Sequence, residues 1–175
     1  MKWAQLVKGA NLVQNNNVDQ TNHVVVTNMV YAAGMKTLTF YLTIRGSNRR
    51  TFGGIITFLR VEEIDVESEQ EAIEALSNRE NMMVEDSEGH KHIVEKPNLM
   101  YNDVQCRCSC ESFRFSFAYA DRMNRSMAGA NFPVYHRKTP LPPLGRPRRN
   151  PDHIPGVDKH LITAMDVLVR EGLVI

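Results

Sequence analysis

Seven of the eight prolines in this 175-residue chain fall between residues 133 and 155, where Pro140-Leu141-Pro142-Pro143 and Arg146-Pro147-Arg148-Arg149 follow one another closely. Proline fixes φ and carries no amide hydrogen, so such a stretch can run neither as a helix nor as a central strand. It reads as an extended arm, with the regular elements on either side of it. A chain of this length can bury a real core as one domain or as two small ones. The texture changes near residue 100, which divides the chain into a β-rich part over residues 1–100 and a second part over residues 101–175 that contains the arm.

Residues 1–60 read as β-structure. His23 to Val30 is short and β-branched, and residues 36–45 alternate, with Leu38, Phe40, Leu42 and Ile44 on one face and Thr37, Thr39 and Thr43 on the other. Period two with this composition is a half-buried strand. Gly46-Ser47-Asn48 supplies a turn, and residues 51–61 return as a second apolar strand. Gly53-Gly54 within it suggests a bulge or a close backbone approach. Residues 66–80 look helical: Ser68 and Glu71 fit a capping box, Ala72, Ile73, Ala75 and Leu76 make a narrow apolar stripe, and the glutamates form a solvated face. Residues 81–97 suit a hairpin or an exposed loop turning at Glu88-Gly89-His90. Residues 104–119 alternate again, placing Phe113, Phe115, Phe117 and Tyr119 on one face of a strand. Leu161, Ile162, Met165, Leu168 and Val169 then repeat at helical spacing, with Gly172 at the C-cap. The expected class is α+β: a small antiparallel β-rich front with one short helix, then a knuckle-bearing strand, the proline-rich arm and a carboxy-terminal helix.

The formal net charge is only +1, which argues against a protein that grips nucleic acid over a broadly basic surface. No run approaches the roughly 18 apolar residues of a membrane span. The opening Met1-Lys2-Trp3-Ala4-Gln5 lacks the apolar core of a signal peptide, so a cytoplasmic origin is expected.

The three cysteines are Cys106, Cys108 and Cys110. Disulfides between such near neighbours would close tiny strained loops, so the cluster points to metal or redox chemistry. Zinc takes four ligands from thiolate, imidazole and carboxylate at tetrahedral angles. Cys108 and Cys110 can reach one ion if the backbone bends between them, and Asp158 and His160, at the start of the last helix, can close the site. Asp158 also has a plain reading as a helix N-cap. If it only caps, Cys106 becomes the fourth ligand. Buried structural thiols without metal are the bland alternative, and a decayed site that folds metal-free is another.

At Cys108, Cys110 and Phe113, and again at Pro155-Gly156, Lys159 and His160, the sequence resembles the SWIM-type zinc finger. That family pairs a strand-borne Cys-x-Cys with a Cys-x-His at a helix start; here Asp158 stands where a third cysteine is expected, and the insertion between the halves is long. The resemblance covers roughly residues 104–170 and implies one structural Zn²⁺. The aromatic segment, the Pro- and Arg-rich insertion and the run Asn150-Pro151…Lys159-His160 also resemble virion proteins of tailed bacteriophages of the myovirus type. That likeness implies a connector in the neck, tail or baseplate, made in the host cytoplasm and bound to other phage structural proteins in a symmetric multi-copy assembly. Arg146, Arg148 and Arg149 would be its partner-binding contacts; a zinc-dependent nucleic-acid-binding module is the alternative.

His90-Lys91-His92 can be written as a metal clip, although exposed turn histidines are commoner. No Gly-rich phosphate loop, Ser/His/Asp arrangement or paired-carboxylate geometry is evident. The sequence does not read as an enzyme.

Overall fold

The computed structural model describes residues 1–13, 23–46, 49–130, 132, 150 and 152–175. Four strands form an antiparallel sheet in the order β1 (His23–Ala32), β2 (Thr37–Arg45), β3 (Thr51–Leu59) and β6 (Asp103–Cys108). The expected alternation holds in β2: Leu38, Phe40, Leu42 and Ile44 are all buried. Ile56 and Phe58 of β3 and Val104, Cys106 and Cys108 of β6 join them. Each large apolar side chain so buried stabilises the fold by about 1.5–3 kcal/mol.

Between β3 and β6 the chain makes α2 (Glu69–Ser77) and the hairpin β4 (Asn81–Glu85) and β5 (Lys91–Glu95). Ser68 caps α2 as expected, its Oγ accepting the Glu71 amide at 3.2 Å. The Gly53-Gly54 pair marks a close approach and not a bulge. The β2–β3 register runs through it unbroken, and a Cβ on Gly54 would lie 2.8 Å from Ile44 Cδ1. The irregularity falls in β1, between Val26 and Asn28.

Two expectations fail. Residues 3–13 are a helix, α1 (Trp3–Val13), with Trp3, Leu6, Gly9 and Ala10 buried. Apolar spacing of three and four along this segment outweighs the β-character of the neighbouring sequence. The aromatic stretch after the cysteines is also helical, as α3 (Glu111–Ser116) and α4 (Ala118–Met123). Phe113 and Phe117, four apart, are both fully buried, whereas Phe115 and Tyr119 are 45% and 59% exposed. Residues of one period-two face are thus divided between inside and outside.

The last helix, α5 (Lys159–Arg170), buries Leu161, Ala164, Met165 and Leu168 and touches all four strands of the sheet. It ends as expected: Gly172 has φ +68°, its amide donates to Val169 O, and Leu173 N–H donates to Leu168 O. That pair of bonds is a Schellman cap. The buried cluster draws on residues from both sides of residue 100, and β6 lies in the same sheet as the amino-terminal strands. Residues 133–149, with Arg146, Arg148 and Arg149, lie outside the described residues.

Candidate metal centre

Cys108 ends β6, opposite Gly54. Ser109 then fastens the turn to β3: its amide donates to Gly53 O, and Gly53 N–H donates to Ser109 Oγ, each at 2.9 Å. Held there, the chain bends so that Cys110 becomes the N-cap of α3, with Sγ accepting the Phe113 amide at 3.3 Å. The Cys110 amide in turn faces Cys108 Sγ at 3.5 Å. Amides aimed at sulfur favour thiolate, so the bend prepares both cysteines as ligands.

The second half arrives on α5. Asp158 is its N-cap, with Oδ1 accepting the Leu161 amide at 3.2 Å. Its other oxygen, Oδ2, lies 2.7 Å from Cys110 Sγ and 2.8 Å from His160 Nδ1. The imidazole nitrogen is 3.9 Å from Cys108 Sγ. All four ligand atoms lie within 4.8 Å of one another. Ligand bonds of about 2.0–2.3 Å at tetrahedral angles would set donors roughly 3.3–3.8 Å apart, a range the observed separations bracket. Cys108, Cys110, Asp158 and His160 could therefore hold a metal ion, and no disulfide competes for the thiols. Capping and ligation by Asp158 are compatible, because they use different oxygens.

Cys106 lies outside this group. It faces the same side as Cys108 but two residues back along β6, about 6.8 Å at strand spacing. Its backbone is occupied by the 126–128 turn, with Cys106 N–H donating to Ser126 O and Ala128 N–H to Cys106 O. Burial pushes its thiol well up, and Asp121 and Asp158 push it further.

The metal-free centre holds protons. The hydrogen bond between the two thiols, together with burial, drives Cys108 far up, while the same bond brings Cys110 down to about 7 against burial. Burial pulls the His160 imidazole down, but Asp158 and Cys110 outweigh it and hold it at about 9. An incoming cation must displace these protons.

Three supports were not legible as such. Phe52 lays its ring on His160, with centroids 4.5 Å apart. Ser109 locks the bend. Asp121, fully buried, accepts Gly156 N–H at 2.9 Å and Ser126 Oγ–H at 3.3 Å, steadying the segment that leads into Asp158. The alternation of β3 places Phe52 on the same side as Gly54, and that was the only available signal.

No protein-family model matches the chain. Nor does any curated protein or solved structure match it. Among the described residues, no helix is long and apolar enough to cross a membrane.

Proposed function

We propose that this chain is a structural connector of a tailed-phage particle, with one zinc ion stabilising its carboxy-terminal half. The observation that supports the metal role is the closed donor set: none of Cys108, Cys110, Asp158 and His160 is more than 6% exposed. A catalytic zinc keeps a position open to water or substrate, whereas a structural zinc is enclosed by four protein ligands. Two thiolates and an imidazole favour zinc over calcium or magnesium, which take oxygen. The ion would join β6 and α3 to α5 across the insertion, which is where a chain with so long a proline-rich segment needs a fastening.

The particle reading rests on the resemblance to myovirus virion proteins and on the arm bearing Arg146, Arg148 and Arg149. Mass spectrometry of purified virions tests it. Stoichiometric presence in neck, tail or baseplate fractions is expected, and absence from particles would end the reading. Binding to DNA that weakens steeply with salt would favour a nucleic-acid module instead.

A further inference from the structure

The near-zero total charge conceals two opposed segments. Eleven carboxylates lie between residues 62 and 88 against one cation, Arg79. Residues 133–149 carry Arg137, Lys138, Arg146, Arg148 and Arg149 and no acidic residue. The acidic segment builds α2 and much of the β4–β5 hairpin. Of its carboxylates, only Glu62 meets a lysine or arginine among the described residues.

Between α2 and the hairpin runs a groove of about 320 Å³, lined by Ile64, Val66, Ala72, Leu76, Met83 and Ile93. The carboxylates Glu63 and Asp65, His92 and one cation, Lys91, line it too. Leu76 and Met83 are 39% and 49% exposed, and Ile73 beside them is 58% exposed. α2 has an apolar stripe, yet none of its residues is buried. An apolar strip rimmed by carboxylates is a docking surface suited to an apolar segment flanked by cations.

The chain itself carries such a segment, in residues 133–149. The flanks of residues 133–149 both sit on α3: Phe132 stacks near Phe113, with centroids 6.3 Å apart, and Asn150 Nδ2 donates to Ser116 O at 2.7 Å. α3 follows the Cys108 end of β6, whereas the acidic unit leaves β3 at Leu59, opposite Asp103. Six residues of strand, about 20 Å, separate the two ends. The described flanks of the arm and the acidic unit therefore lie toward opposite ends of the sheet.

We propose that the groove between α2 and the β4–β5 hairpin receives the Pro- and Arg-rich segment, residues 137–149, of a second copy of this chain. Pro140, Leu141, Pro142 and Pro143 supply an apolar stretch whose backbone is already restricted, which lowers the cost of ordering it. The flanking arginines meet the rim carboxylates, where guanidinium pairs in bidentate fashion. Such a contact is not self-complementary, so copies join head to tail into a ring or an open filament. It needs only this chain, and stands apart from both the metal and the particle.

Sedimentation of the metal-loaded full chain at low and high salt tests this, together with two variants. One carries Arg146→Glu, Arg148→Glu and Arg149→Glu; the other carries Asp65→Lys, Glu69→Lys and Leu76→Ser. The wild type should associate at low salt and dissociate as salt rises. Each variant, with its metal content unchanged, should lose about tenfold or more in self-association. Mixed together, they should form a 1:1 heterodimer that grows no further, because one intact arm meets one intact groove. A wild type that stays monomeric at low salt overturns the proposal. So do variants that associate as the wild type does, or a mixture that forms no heterodimer. Cross-links joining arm and groove within one chain would also overturn it.

Discussion

Cys110 and Asp158, 48 residues apart in sequence, meet with Sγ and Oδ2 separated by 2.7 Å, and each also caps the helix that begins after it. A helix amino terminus attracts negative charge, and both donors sit at the positive end of a helix. The candidate metal centre thus lies where two helices begin, and its halves are tied together by the same side chains that start those helices.

Asp158 can be divided by substitution. Asparagine caps as well as aspartate, so Asp158→Asn should leave the metal-free fold nearly unchanged while weakening metal binding. Asp158→Ala should lose the metal and cost a further ~1 kcal/mol for the cap. Cys108→Ser and Cys110→Ser should each release the metal and unfold the carboxy-terminal half, whereas Cys106→Ser should be mild. Metal titration followed by chemical denaturation reads all five. A Cys106→Ser variant as damaged as Cys108→Ser, with Asp158→Asn silent, would move the fourth ligand to Cys106.

Burial pushes the Asp121 carboxyl up to about 8, despite the Gly156 amide and the Ser126 hydroxyl, and its Oδ2 has no partner among the described residues. The folded chain therefore keeps a proton that the unfolded chain releases above about 3.8. Stability must fall as pH rises through that interval. Asp121→Asn carries no charge, so its melting temperature should overtake the wild type's near pH 8 but not at pH 4. Parallel pH profiles of the two proteins would expose a wrong assignment.

His92 lies between Glu63, 2.7 Å from Nδ1, and Asp86, 3.4 Å from Nε2, with Tyr31 packed against its ring. The hydrogen bond to Glu63 raises its pKa above the ordinary 6.5, against partial burial. A raised histidine contributes its full stabilisation below the unfolded value and loses it as pH rises through the folded one. An NMR titration should place His92 above an ordinary histidine, and Glu63→Gln should bring it down. An unshifted midpoint would mean that the ion pair does not form.

Packing makes a prediction at Gly9. A Cβ there would come within 1.9 Å of Pro155 O, so α1 could not keep its seat beside the segment leading to Asp158. Gly9→Ala should destabilise the fold by about 1–3 kcal/mol. A thermal melt unchanged from wild type would show that α1 sits elsewhere.

How much of this was legible varies with the physics that decides each element. β2 was readable because one face is buried and the other is not, which writes period two directly into Leu38, Phe40, Leu42 and Ile44. That the two cysteines, Asp158 and His160 come together was readable because ligand chemistry restricts the residue types. The stretch from Phe113 to Tyr119 was not. Its aromatics satisfy periods of two and four at once, and the choice is made by the cap at Cys110 and the Ser109–Gly53 clamp, which only the tertiary fold supplies. α1 was passed over because its stripe is short and small residues, Gly9 and Ala10, carry half of it.

Elemental analysis of purified full-length protein tests the metal centre most directly. About one zinc per chain is expected, retained through dialysis at neutral pH, lost with chelator or acid, and accompanied on loss by a large drop in thermal stability. A folded preparation free of zinc and every other transition metal, with a melt that chelator does not change, would contradict a structural zinc site at Cys108, Cys110, Asp158 and His160.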